Sequence, residues 1–477
     1  MITAILFDLI LTAAAFGCAS LFRIKSEESL PLICSSIVMI LFLCGIFGFL
    51  PVGVTLAGIA AAALAVCGIV RMCRRRTFRQ VCGSTLTPPF FLFILLTLIS
   101  AHIYQGILAI HWDEFSHWID AVKAMSIVDA LGTDPAAGIM FQSYPPGMAL
   151  FQYFGVKLDM ILHPGADFPE WLCYHCYQLF SLAFFMPFTR ELFSRDGNWA
   201  PDRKFFQGLL KMAVLTIFYL FVPQMFFDTA YVACYIDCFV SVLAGIGFAR
   251  ILTERQKDLS YRLGILSVCM MLVLAKDIGL LYAIFIAAAF MLDMLFFCRP
   301  EQGAAKREWL RLALTASVPL TGSMLCKLIW SVELRITNAA LQFHNQIDYL
   351  YYIRIFFAGG DQTYRQQVAD KYKDALLNET HKSLGLTYAV ILAVMTAVTV
   401  LLLVLLRIRL REIAARSVLT AGLSLLCTVL YIFMLGAVYM YNFSEYEIRE
   451  AALSFMRERD IYPKFERDTH LILDGEI

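Results

Sequence analysis

An acidic dipeptide lies at the mouth of a hydrophobic segment, where the chain turns from apolar to polar. Asp113 and Glu114 follow Trp112 in the stretch HWDEFSHWIDAVKAM, which begins the longest polar segment of the first half of the chain. Carboxylates retained at a membrane surface are functional candidates by default. Adjacent helical residues point about 100° apart, whereas retaining hydrolases need their two carboxyl groups about 5 to 5.5 Å apart. The spacing therefore favours one carboxylate acting by itself in proton transfer.

A lysine lies in the middle of an apolar run that is too long for one membrane crossing. The run from 261 to 297 contains the segment AKDIG, with Lys276, Asp277 and Gly279. At about 1.5 Å per residue the run exceeds a hydrocarbon core about 30 Å thick, so it must turn near this segment. Lys276 could bind a phosphate group as a compact point charge. The alternative is a lysine at a helix end that is paired with its neighbour.

Further acids begin the next apolar stretch upstream. Asp237, in YID, opens an apolar segment, and Asp228 precedes it in FFDTAYVACYID. Either acid could shape a polar site, and either could only terminate a helix.

The elements that must position these residues are membrane-spanning helices. Hydrophobic residues make up 60% of the chain and charged residues 16%, and the net charge is +1. This composition predicts an all-α polytopic bundle and gives no indication of a nucleic-acid-binding surface. With about 20 apolar residues per crossing, we expect about twelve spans, near 5–22, 31–50, 52–70, 88–110, 170–189, 205–223, 232–250, 262–276, 278–298, 310–330, 384–406 and 417–441.

Lysine and arginine counts predict the orientation of the bundle. The arginine-rich loop 71–79 is assigned to the inner side, which brings residue 111 to the outer side. Loops near 190–204, 250–262, 299–311 and 407–416 then also lie inside, provided that 145–162 does not cross the membrane. Because this segment begins with Tyr144-Pro145-Pro146-Gly147 and contains Lys157 and Asp159, we expect an amphipathic helix resting on the outer leaflet.

Three regions then lie on the outer side. They are the acidic loop 111–169, the basic loop 331–383 with Arg354 and Arg365, and a polar tail, 442–477. Helices at 1–87 precede a core at 88–330, and helices at 384–441 follow the second loop. The opposite charges of the two loops could close over a shared cleft, or both loops could simply be solvated.

The start of the acidic loop has an amphipathic pattern. As a helix, its aromatic side would dip into the lipid headgroups and hold the carboxylates near the water boundary. The alternative is an interfacial belt whose acids only face water. The two sides would comprise Trp112, Phe115, Trp118, Ile119 and Val122 against Asp113, His117 and Asp120.

The order WDEFSHW, YPPG, YID and AKDIG resembles that of the GT-C superfamily of polytopic glycosyltransferases, over about residues 88–300. The resemblance implies transfer of a sugar from a polyprenyl-phosphate carrier to a glycan, lipid or protein acceptor, on the outer face of the plasma (bacterial inner) membrane. It implies that Asp113 is the base and Glu114 its neighbour or substitute. The implied cations for the donor phosphate are Lys276, then Arg365 and Arg354, and the supporting residues are His117, Asp237 and Tyr144. No cofactor is required by this chemistry, although His111, His117 and Asp113 could bind a divalent metal ion.

The chain also departs from that superfamily. Three helices precede the one that delivers the acidic loop, where the simplest members have one, and the chain runs from YMYNFSEYEIREAALSFMRERDIYP into a polar tail. Two rival functions stay open. A polysaccharide polymerase or ligase would use lipid-linked glycans at the same outer site, and a secondary transporter would also be polytopic.

Overall fold

The computed structural model describes most of the chain, and the regular structure in the described residues is helical. The described residues are 1–75, 85–193, 203–227, 229–254, 257–298, 306–340, 347–360, 364–381, 383–409 and 411–442. One isolated β-bridge joins Thr380 and Thr387. Asp228 and all but the first residue of the tail 442–477 lie outside the described residues.

The chain forms two compact units, Met1–Gln342 and Phe343–Ile477. Twelve α-helices are described in the first unit. In chain order they are α1 Ile2–Phe22, α2 Ser26–Ile46, α3 Leu50–Arg75, α4 Pro88–Tyr104, α5 Ile119–Val128, α6 Gly147–Leu162, α7 Glu170–Phe185, α8 Arg203–Phe226, α9 Ile236–Thr253, α10 Leu259–Ala275, α11 Gly279–Leu292 and α12 Lys306–Ile336. Shorter turns of other helix types lie at Glu114–Trp118, Pro135–Ala137, Met186–Leu192 and Asp293–Phe297.

Nine of the described helices are long and apolar enough to cross a membrane, so the chain is a multi-pass membrane protein. About twelve spans were expected. The helices α4 and α10 are apolar but have only 17 residues each. The remaining expected span, 170–189, comprises the 16-residue helix α7 and the first residues of the 3₁₀ turn that follows it. Every expected span thus coincides with a helix, and nine of the twelve have spanning length and composition.

The expected turn in the apolar run 261–297 is confirmed. Helix α10 ends at Ala275 and α11 begins at Gly279. A Cβ atom at Gly279 would collide with the carbonyl group of Leu272, so only glycine permits this close approach of the two helices. The turn therefore presents Lys276 at one end of the bundle.

The centre of the first unit is built around α7, whose residues from Leu172 to Phe185 are all buried. The rings of Phe151, Phe180 and Phe239 stack in sequence, with centroids 4.5 and 5.2 Å apart. Aromatic stacking of this kind adds to the free energy gained by burial alone. These rings join α6, α7 and α9 in one core.

Helix α6 differs from the expected amphipathic helix on the outer leaflet. It forms at the predicted position after the Pro145-Pro146 pair, but nearly all of its residues from Gly147 to Val156 are buried. It packs against α1, α2, α7 and α10. Its apolar residues surround the helix on all sides, and such a helix is stable only when enclosed by neighbours.

The first unit has two distinct ends. At the loop end, Glu114 accepts a hydrogen bond from the backbone N–H of Cys234, and Thr133 donates to Glu333. At the opposite end, Arg71 donates to the carbonyl of Leu21. The basic starts of α8 and α12 also lie at the opposite end, as the predicted topology requires. Assignment of the loop end to the outer side stays a prediction, because it rests on the lysine and arginine counts.

The second unit contains four described helices around its own small core. They are α13 Tyr349–Ala358, α14 Tyr364–Asn378, α15 Tyr388–Arg409 and α16 Arg411–Asn442. Tyr352 and Ile355 of α13 are buried with Ala369 of α14 and with Ala437 and Met440 of α16. The predicted loop 331–383 is therefore helical over most of its described length, and its first residues extend α12 to Ile336.

Glycine allows α1 and α3 to approach closely, which gives a test of the fold. A Cβ atom at Gly68 would lie 2.5 Å from the Cα atom of Gly17. We predict that Gly68→Val lowers the free energy of unfolding by about 1 to 3 kcal/mol through overpacking. The measurement is thermal unfolding of the purified protein in detergent. Gly58→Val on the same helix is the control, since no atom lies within 4 Å of its Cβ position. Equal melting temperatures of the two variants would contradict this packing.

Candidate functional site

The loop that follows α4 is held by the buried carboxylate of Glu114. This side chain has no exposed surface. Its Oε2 accepts hydrogen bonds from the backbone N–H groups of Ile110 and His111, at 3.2 and 3.1 Å, and its Oε1 accepts one from Cys234 at 2.8 Å. Buried charge is tolerated only when it is well hydrogen-bonded. Glu114 therefore ties the start of the loop to the chain that leads into α9.

A second acid supports the same loop. Glu170, in the first turn of α7, accepts a hydrogen bond from the backbone N–H of Ala109 at 2.7 Å. The residues between α4 and the acidic dipeptide thus have their backbone donors bound by two carboxylates. This geometry favours a positioning role for Glu114. Neither of its carboxylate oxygens is exposed, so the geometry does not support the expected role of Glu114 as a base or as a substitute for Asp113.

The dipeptide leads into a π-helical turn, Glu114–Trp118, in which the N–H of Ile119 donates to the carbonyl of Glu114. The wider turn changes the direction of the side chains relative to an α-helix. The expectation that His117 shares the polar side with Asp113 is therefore wrong: His117 is 8% exposed, while Trp112 and Phe115 are exposed. The residues of the expected aromatic side do not share one surface either, because Ile119 and Val122 are buried whereas Trp112 and Phe115 are exposed.

His117 lies among aromatic rings. Its ring centroid is 4.7 Å from that of Trp118, 4.7 Å from that of Tyr144 and 5.9 Å from that of Phe141. Loss of water, together with the charge of Lys276, lowers the pKa of His117 to about 3. The imidazole is thus neutral at physiological pH.

The cation of the site is Lys276, at the turn between α10 and α11. Its Nζ donates to Oδ1 and Oδ2 of Asp237 at 2.7 and 2.9 Å. It also lies 5.9 Å from the ring centroids of both Trp118 and Tyr144. The positive charge is favoured by these ring faces as well as by the carboxylate. The neighbouring Asp277 pairs with Lys327 of α12 at 2.6 Å, so the alternative of a Lys276–Asp277 pair is wrong.

Asp113 is the exposed carboxylate of the site. Partial loss of water raises the pKa of Asp113 above its ordinary value. The charge of Lys276 opposes this rise, and the charges of Asp237 and Glu114 add to it. These groups are therefore near enough for their fields to reach Asp113.

Of the predicted site residues, the loop end of the first unit brings together Asp113, His117, Tyr144, Asp237 and Lys276. Arg354 and Arg365 belong to the second unit. There the guanidinium of Arg365 lies 4.9 Å from the ring centroid of Tyr441 and 5.7 Å from that of Tyr351. Their proposed contact with a donor phosphate stays a prediction.

Sequence reasoning did not identify the cavity that adjoins His117. Its walls include Phe141 and Trp330, and the Nε1 of Trp330 donates to the carbonyl of Ser143 at 3.1 Å. These partners are 187 positions apart in the sequence. No local sequence pattern indicates such a contact. Glu170 was also not singled out from the sequence, although an acid in the first turn of a helix is a recognisable pattern.

The described residues were compared with the side-chain groups that hold metal ions. Among the residues that the structure describes, no group of three or more histidine, cysteine, aspartate or glutamate side chains could hold an ion. His117 faces aromatic rings. The possible divalent metal at His111, His117 and Asp113 stays an untested prediction.

Comparison with known proteins adds no relative. No protein-family model, no curated protein and no solved structure matches this chain.

The positioning role of Glu114 can be tested directly. Glu114→Ala leaves the N–H donors of Ile110, His111 and Cys234 without this acceptor, at a cost of about 1 to 3 kcal/mol for the buried donor of Cys234. We expect a lower melting temperature and faster amide hydrogen exchange in peptides from 107–114 and 230–236. Glu114→Gln keeps one acceptor oxygen and should show a smaller effect. Unchanged exchange in the alanine variant would contradict the positioning role.

Proposed function

We propose that the protein is a membrane glycosyltransferase that transfers a sugar from a polyprenyl-phosphate donor to a hydroxyl group of an acceptor, with Asp113 as general base. The observation that carries the proposal is the exposed carboxylate of Asp113 in the field of the Lys276–Asp237 ion pair, at the loop end of the bundle. One base and one cation suffice for this reaction, because a glycosyl phosphate already has a good leaving group.

The chemical step is an inverting displacement. The acceptor oxygen forms a bond to the anomeric carbon of the sugar while the bond from that carbon to the phosphate oxygen breaks. The acceptor proton moves to Asp113, and the electron pair leaves with the polyprenyl phosphate. The raised pKa of Asp113 favours its action as a base, since a more basic carboxylate binds the proton more strongly.

Lys276 is the proposed clamp for the departing phosphate. Its partner Asp237 has a side chain that is 40% exposed. Ion pairs that are open to water contribute little to stability. Exchange of the carboxylate for a phosphate oxygen at Lys276 therefore costs little, and the ring faces of Trp118 and Tyr144 remain in contact with the cation.

An exposed apolar strip beside the base suits the lipid part of the donor. Leu108 and Ile110 are 66% and 70% exposed, and Trp112 and Phe115 follow on the same short segment. Apolar residues in such a position are favourable only against lipid or an apolar ligand. In the proposed topology this strip lies at the outer face of the plasma membrane, where the prenyl chain, the acceptor and Asp113 meet.

Secondary transport is a second candidate because of one buried network. The imidazole of His175 lies 3.0 Å from Oδ1 of Asp8 and 3.1 Å from Oγ of Ser100. All three side chains are buried within α1, α4 and α7. Ionisable side chains inside a membrane bundle are rare and mark ion or proton pathways. Flux of a solute across proteoliposomes without any chemical turnover would favour this candidate.

Removal of the proposed base is the first test of the transferase. Asp113→Asn should lower turnover by about 100- to 10,000-fold, which is the usual contribution of general base catalysis. The assay follows loss of label from a radiolabelled polyprenyl-phosphate sugar in proteoliposomes with an envelope extract as acceptor. Asp120→Asn, an equal charge change on α5, is the matched control. Near-normal turnover by folded Asp113→Asn protein would exclude Asp113 as the base.

The pH dependence of turnover gives a second test. Asp113 acts only when deprotonated, so the rate falls as the pH drops through its pKa. The negative charge of Asp237 raises that pKa, and Asp237→Asn should therefore move the acid limb of the pH–rate profile to lower pH. Asp277→Asn, which removes a carboxylate paired with Lys327, should leave the limb in place. An unmoved limb in Asp237→Asn protein would contradict the assignment, whatever its maximal rate.

A further inference from the structure

A small cavity is lined in part by Trp118 and Tyr144, the two aromatic residues whose rings contact Lys276. Its volume is about 30 Å³. Because one water molecule needs about 10 to 15 Å³ of such space, the cavity has room for about two atoms of the size of carbon or oxygen. Most of the wall is aromatic or aliphatic, with Trp118, Phe141, Tyr144 and Trp330 among the lining residues.

The polar side chains in the wall are largely committed to other partners. The Nε2 of Gln152 donates to the carbonyl of Cys173, the Oε1 of Gln142 accepts from the N–H of Ala340, and the Nε1 of Trp330 donates to Ser143. His117 differs from them. It is 92% buried, and its Nδ1 has no hydrogen-bond partner among the described residues. An unpaired buried nitrogen costs free energy, which a bound hydroxyl group would recover.

These properties define the occupant. Two water molecules would each require two to four polar partners, whereas most of this wall is apolar. A group with one carbon and one hydroxyl oxygen places its C–H bonds against the rings and its O–H against the neutral imidazole. The smallest group of this kind on a carbohydrate is the exocyclic hydroxymethyl group.

We propose that the cavity binds the hydroxymethyl group of the donor hexose and so selects hexoses over 6-deoxyhexoses and pentoses. This inference rests on the proposed transferase function. It concerns the donor because Trp118 and Tyr144 both line the cavity and contact Lys276, the proposed phosphate clamp. The sugar attached to a phosphate at Lys276 therefore lies beside the cavity. His117 is then a residue that determines specificity, through a hydrogen bond to the hydroxyl at C6.

The test compares donors that differ only at C6. Undecaprenyl phosphates of glucose, 6-deoxyglucose and xylose form one series, and the mannose and galactose families give two more. Within the series that is turned over, kcat/KM should fall by about 10- to 100-fold on loss of the hydroxyl group and no less on loss of the whole hydroxymethyl group. Equal kcat/KM for the hexose and the pentose would overturn the inference and leave the transferase standing.

Two variants separate hydrogen bonding from packing. His117→Phe keeps a flat ring but removes the nitrogen, so the preference for hexose over 6-deoxyhexose should disappear while the preference over pentose persists. Ala149→Leu extends a wall residue into the cavity and should favour the pentose, which gives a second measurement if the first variant unfolds. His102→Phe, at an exposed position on α4, is the control and should keep the wild-type ratios. An unchanged ratio in folded His117→Phe protein would exclude His117 from C6 recognition.

Failure of the proposed transferase function would give a different experimental result. No loss of label from any donor in the three series would contradict the transferase and the cavity assignment together. Tryptophan fluorescence during donor titration is the independent binding measurement, because Trp118 and Trp330 line the cavity. Tighter binding of the hexose donor than of its pentose counterpart supports the cavity assignment, and equal binding opposes it.

Discussion

The arrangement of the loop end depends on one buried carboxylate. Glu114 accepts hydrogen bonds from backbone N–H groups on both the loop after α4 and the segment before α9. A buried carboxylate without such donors would be strongly unfavourable, so both segments are fixed together. Because Asp113 is adjacent to Glu114 and Asp237 follows Cys234 by three positions, this contact joins the segment that carries the exposed acid to the segment that carries the acid of the ion pair.

Two opposite electrostatic requirements are met within this small volume. Lys276 pairs with Asp237 and lies against the faces of two rings, whereas His117, in contact with the same rings, stays neutral because burial and Lys276 both lower its pKa. Asp113 is exposed, and its pKa is raised. A cation, a neutral imidazole and a carboxyl group with a raised pKa thus coexist at the loop end of the first unit. The surroundings of each of these ionisable groups therefore decide whether it is charged or neutral.

The hydrophobic pattern was sufficient to predict the helices, since each must satisfy its own backbone hydrogen bonds. The turn at Lys276 followed from the length of the run 261–297, and the helix after Pro146 followed from its proline pair. Lateral packing could not be predicted in this way. Helix α6 was expected on the lipid surface, but it is enclosed by α1, α2, α7 and α10. Charged residues at its end suggested exposure, while Asp159 is buried and accepts a hydrogen bond from Thr3.

The sequence by itself determined that the chain is a helical multi-pass membrane protein and that its polar residues concentrate at helix ends, because these properties depend on composition and on local periodicity. It also singled out Asp113, Asp237 and Lys276. Only the tertiary structure decided that Glu114 is buried as a support, that Lys276 pairs with Asp237 instead of Asp277, and that His117 is buried beside a cavity that Trp330 also lines. Each of these facts depends on contacts between distant segments or on a π-helical turn. Neither kind of feature produces a periodic pattern in the sequence.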